Sequence, residues 1–157
     1  MKSEVYIGGN GLRIARVFEA PRRLVFGWWA QAEKLRQWSG CKEARNCEIE
    51  MDFRPGGSFT QKMQIAANGG TCEFSFTGTY EEIVEPERIV YHANFGNAVT
   101  RVTVEFLEYA DGTKVVLTHE GCSDDFFCKR VSQGTVESLE KLDGLLAEPA
   151  IGKGSAA

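Results

Sequence analysis

The chain has 157 residues, 43% of them hydrophobic and 25% charged, which fits one globular domain with its own core and argues against a disordered polymer. Its net charge is −4 and its densest basic run is Arg22-Arg23, so a phosphate backbone would be repelled and nucleic acid is not expected as a partner. No apolar run approaches the roughly 20 residues that span a bilayer, and MKSEVYIGGNG lacks an apolar leader segment; the expectation is a cytoplasmic protein without membrane insertion.

Residues 1–11 read as an N-terminal extension. Gly8-Gly9-Asn10-Gly11 precedes a strand instead of opening a helix, so it is not a phosphate cradle. Residues 13–19 (RIARVFE) alternate loosely and run into Ala20-Pro21, where a proline in the first turn of a helix costs no hydrogen bond. Leu24, Val25, Trp28, Trp29, Leu35 and Trp38 then suit two short helices broken near Ala30-Gln31. Neither is long enough to stand alone, so both must pack on something else.

A run of period-2 segments follows. Cys47, Ile49, Met51 and Phe53 alternate with Glu48, Glu50 and Asp52, giving one buried and one acidic face. After the turn Pro55-Gly56-Gly57, Phe59, Gln61, Met63 and Ile65 share a face; after Asn68-Gly69-Gly70, so do Cys72, Phe74, Phe76, Gly78 and Tyr80. Glu85-Pro86-Glu87 turns the chain into Ile89, Tyr91, Ala93 and Phe95. The last two strands, 99–108 and 112–120, point Val102, Val104, Phe106, Val115, Leu117 and His119 inward and are joined at Asp111-Gly112. Strands linked by short turns make an antiparallel meander, here of six strands that with 13–19 give a seven-stranded sheet, and one apolar face needs one covering layer.

The remaining segment supplies that layer. Asp124-Asp125 favour a helix start by capping and by the macrodipole. Phe127, Val131, Thr135, Leu139, Leu142 and Leu146 recur at three- and four-residue steps, which predicts a helix over 124–147. The fold class is therefore α+β, a curved antiparallel sheet wrapped on a long C-terminal helix. The domain spans 12–147, and residues 148–157, ending in Gly, Ser and Ala, read as a flexible tail.

Five cysteines stand at 41, 47, 72, 122 and 128, an odd number that reads as reduced thiols. The spacing Cys41…Cys47 recurs as Cys122…Cys128, but zinc sites use tighter pairs, about two to four residues apart, so no metal is expected. Cys47 and Cys72 fall on apolar strand faces and read as small hydrophobes.

No nucleophile elbow, phosphate loop or paired metal-ligand motif is present, so no catalytic residue is assigned and no cofactor is expected. Two polar residues do point inward, Gln61 and His119, and each needs a partner, a water or a ligand. His92 falls on the outer face. A sheet that stands off its helix would enclose a pocket lined by Phe59, Gln61, Phe74, Phe76, Tyr91 and His119 from the strands, by parity, and by Val131 and Thr135 from the helix, by spacing.

The order strand, two short helices, six strands, long helix resembles the SRPBCC superfamily, also called the START or Bet v-type, helix-grip fold. RVFEAPRRLVFGWWAQAEKLRQWSG (16–40), RPGGSF (54–59), EPERIVY (85–91) and GTKVVLTHEG (112–121) are similar to successive motifs of its Aha-type family, named for the activator of heat-shock protein 90 ATPase. The family often has Gly-Trp early in its last helix; this chain has Gly134-Thr135. The resemblance implies a domain that holds a small hydrophobic or amphipathic molecule; monomer and homodimer both stay open. Its alternatives are a co-chaperone-like regulator of a chaperone ATPase, and a polyketide cyclase-like enzyme using His119.

Overall fold

A computed structural model describes residues 3–8, 11–40, 44–67, 69–96, 99–121 and 125–147. Eight strands and three helices follow the chain: β1 (Glu4–Gly8), β2 (Gly11–Phe18), α1 (Arg22–Ala30), α2 (Ala32–Trp38), β3 (Ala44–Met51), β4 (Ser58–Ala67), β5 (Gly70–Val84), β6 (Arg88–Asn94), β7 (Val99–Tyr109), β8 (Gly112–Glu120) and α3 (Asp125–Leu146). They form one open antiparallel sheet in the order β1-β2-β8-β7-β6-β5-β4-β3. The fold is the expected helix grip, with one strand more than the sequence predicts.

That strand is β1, in the segment expected as an extension. It pairs along its whole length with β2, from Glu4 opposite Ala15 to Gly8 opposite Gly11. Residues 4–7 are all exposed, so β1 has no buried face to leave a period-2 trace. The signal available was the turn itself, since Gly-Asn between two strand-like runs is hairpin chemistry.

The sheet is curved by local devices. Gly78 in β5 lies opposite Phe59 in β4, and a Cβ at Gly78 would overlap the Phe59 ring and crowd the His92 carbonyl. Only glycine lets the ring lie flat on the neighbouring strand. Register shifts between Arg45 and Glu48 and between Tyr80 and Glu82 add bends.

The core lies where α1, α2 and the end of α3 meet β2, β7 and β8. Ile14, Phe18, Val25, Val104, Phe106, Val115, Leu139 and Leu142 are fully buried there. Edge-on ring contacts join Phe26 to Phe106 and Trp29 to both Phe106 and Trp38. Trp38 donates its indole N–H to the Trp28 carbonyl at 3.1 Å, which fixes α2 against α1. At the far end of α3, Arg16 of β2 is buried and meets Asp143 at 2.9 Å.

Two expectations about cysteine need correction. Cys72 is exposed, because the outer end of the β4–β5 hairpin runs past anything that could cover it; parity assigns a face but not a cover. Cys47 is half-buried and free, whereas Cys128 is buried and disulfide-bonded, with a partner outside the described residues. An odd cysteine count leaves a thiol over but does not forbid a pair. Cys41, Cys122 and the expected tail lie outside the described residues.

Candidate functional site

A cavity of about 890 Å³ lies between the concave face of the sheet and the first turns of α3. All eight residues expected around a pocket border it: Phe59, Gln61, Phe74, Phe76, Tyr91, His119, Val131 and Thr135. Parity is the reason they meet, since residues directly opposite each other in a sheet share a face. One such row runs Leu12, His119, Val102, Tyr91, Tyr80 across β2, β8, β7, β6 and β5.

Trp29, Leu35, Trp38, Met63, Ile65, Ala93, Phe95 and Leu117 also border the space. Sequence reasoning placed these in the interior without assigning them to the pocket. The inward parity of Met63, Ile65, Ala93 and Phe95 was a usable signal. The helix residues carried none, because their spacing describes a core equally well.

Aromatic rings form a continuous wall from the core to the mouth. Phe53 meets Tyr80, Tyr80 meets Phe59, and Phe59 meets Tyr91 and Phe76. Phe76 then meets Phe95 with ring centroids 4.9 Å apart, and Phe95 stacks with Phe74. Phe74 is 39% exposed, which places the outer end of the wall in solvent.

The polar groups are few and uneven. His119 is 6% exposed, and its Nδ1 is buried without a hydrogen-bond partner. A buried polar group left unmatched costs about 1–3 kcal/mol. Burial holds its pKa down at about 4, so the imidazole is neutral at physiological pH. The partner that an inward His119 requires is therefore not supplied to Nδ1 by the protein. Tyr91 is half-buried at the cavity wall, and burial pushes its phenol up to about 12. Tyr80 is raised as well, by burial first and by Tyr91 second. Gln61 is 9% exposed on β4, at the opposite wall from His119. The ionised side chains among the lining residues, Arg130 and Glu137, both come from α3.

The outer face behaves as a solvated surface. Glu81 bridges His92 at 2.8 Å and Arg101 at 2.9 Å, and Arg101 reaches Glu120 at 3.2 Å. His92 is therefore an exposed partner of Glu81, on the outer face where parity put it.

Helix α3 is fastened at its middle. Ser138 donates its hydroxyl toward the Gly40 and Gly134 carbonyls, each at 2.8 Å, and Lys141 donates to the Ser39 carbonyl at 3.3 Å. Beyond this clamp, toward the C-terminus, the helix is packed; before it, the helix borders the cavity.

An antiparallel sheet gripping one long helix, with an aromatic cavity in the grip, defines a helix-grip domain. The sequence profile of the family described as activator of Hsp90 ATPase homolog 1-like protein matches residues 19–147, and the chain belongs to that family. Solved structures share the fold. A Chromobacterium violaceum protein superposes with a TM-score of 0.77 at 24% identity, over 88% of this chain and 98% of its own. An Arthrobacter aurescens protein gives 0.78 at 18% identity, over 94% and 92%. A protein from Rhizobium leguminosarum gives 0.69 at 29% identity, over 92% and 96%. No curated protein matches the chain significantly.

Proposed function

We propose that the protein is a non-enzymatic binding domain that holds a small hydrophobic or amphipathic molecule between the sheet and α3. One observation carries the reading: a cavity of about 890 Å³, walled by aromatic rings and carrying only a few polar groups. That size and composition suit a drug-sized apolar ligand. The binding residues are Phe59, Gln61, Phe74, Phe76, Tyr91, His119, Val131 and Thr135.

Native mass spectrometry of protein purified from its own source tests the reading, since a retained ligand adds its mass. Calorimetric titration with 2-methoxynaphthalene, a neutral aromatic probe, is the second test. Saturable binding at one site is expected; absence of both a retained mass and probe binding would remove the proposal's support.

The family's description favours a second reading, a regulator of a chaperone ATPase. Co-purification of a heat-shock chaperone with the tagged protein, and a change in that chaperone's ATPase rate, would support it. An unchanged rate at saturating protein would exclude it.

A further inference from the structure

Resting on the cavity-binding reading above, we infer that the ligand is an uncharged aromatic molecule bearing a hydroxyl group, and that this hydroxyl is held at the His119 imidazole. His119 borders the cavity, is more than nine-tenths buried, and keeps Nδ1 without a hydrogen-bond partner. A second orphan lies on the adjacent strand β7. Thr100 is 1% exposed, its Oγ1 is unpartnered, and it sits two residues before Val102, the residue directly opposite His119. Adjacent strands β7 and β8 thus each carry a buried, unmatched polar atom, and that of His119 borders the cavity. Native interiors match such atoms with protein, water or ligand.

The chemistry of the corner narrows what can match it. A neutral imidazole offers one N–H and one lone pair, and a hydroxyl can serve either, because it both donates and accepts. A carboxylate only accepts, and beside an imidazole that burial keeps neutral its charge would be buried with no counter-charge on the sheet face, which is costly. The cavity's ionised residues, Arg130 and Glu137, come from α3 and not from the sheet face that carries His119. The aromatic character of the ligand follows from the wall: Phe59, Phe76 and Phe95 present rings in sequence toward the mouth.

The experiment compares 2-naphthol, 2-methoxynaphthalene and 2-naphthoate by calorimetry near neutral pH, on the parent protein and on His119→Leu. In the parent, 2-naphthol should bind about tenfold tighter than 2-methoxynaphthalene, which keeps the body and lacks the donor. 2-Naphthoate should bind weakest. His119→Leu should erase the naphthol preference while still binding 2-methoxynaphthalene. Because that variant could fold poorly, imidazole ¹⁵N shifts of the parent give an independent reading: 2-naphthol should move the His119 nitrogens and 2-methoxynaphthalene should not. Equal affinities, tightest binding of the naphthoate, unmoved His119 nitrogens, or a preference that survives in His119→Leu would each overturn the inference while leaving the binding domain intact. Failure of all three probes to bind would strike the cavity reading itself and take this inference with it.

Discussion

Leu139, Leu142 and Leu146 are pressed against the sheet with at most 5% exposure, whereas Val131 and Thr135, earlier on the same helix, border open space. The two halves of α3 have the same apolar spacing and face the same sheet. What differs is the partner surface. Under the C-terminal half, β2 brings Ile14 and Phe18 and α2 packs alongside, in one buried cluster with Leu139, Leu142 and Leu146. Over the N-terminal half, the sheet curls away through β4 and β5, and its rings face a cavity. Apolar periodicity thus says which face turns inward; how far the facing layer stands off decides whether that face is core or site.

Truncations should separate the two ends most sharply. Phe106→Ala, at the packed end, should cost about 3–5 kcal/mol of unfolding free energy in a urea titration. Phe76→Ala, at the cavity wall, should cost less than half as much and instead weaken binding of 2-methoxynaphthalene. Similar losses at both positions would mean that the two ends are packed alike.

The next effect is in pH. The folded state holds His119 near a pKa of 4, against 6.5 when it is free, so between these values the unfolded chain binds the extra proton. Stability from this group is therefore whole above pH 6.5 and falls as pH drops toward 4, by up to about 3 kcal/mol. His119→Leu should flatten that part of the stability profile. A profile identical to the parent's would show that His119 is protonated as easily in the fold as outside it.

Gly78→Ala should cost about 1–3 kcal/mol, because its methyl meets the Phe59 ring across β4 and β5. Thermal melting reads the loss, and relief of it by Phe59→Leu in the double variant identifies the ring as the cause. Smallest of all should be Thr135→Trp. The cavity should accept the indole with a stability change under about 1 kcal/mol, while probe affinity drops. Leu139→Trp, one turn later on the packed half, should destabilise by more than that with no such trade.

The strands from 47 onward were legible because Ile49, Phe59, Met63, Tyr80 and Val102 alternate with polar neighbours, and a half-buried sheet requires that pattern. The eight expected cavity residues were legible for the same reason. β1 was not, since a strand exposed on both faces alternates nothing. Nor was the exposure of Cys72 and Phe74 legible: they continue the inward pattern of β5 where that strand runs out toward solvent. The unmatched Nδ1 of His119 was beyond sequence reading too. That the residue points inward is a matter of parity; that its Nδ1 finds no partner is a matter of three-dimensional packing, which parity does not carry.

The fastening of α3 at Ser138 and Lys141 also has a consequence in time. Local openings of a folded chain release only the contacts they break. Fraying of the helix from its start as far as Gly134 leaves Leu139, Leu142 and Leu146 seated and Arg16 joined to Asp143. Amide protons along this one helix should therefore exchange on two separate clocks, fast before the clamp and at the pace of global unfolding after it.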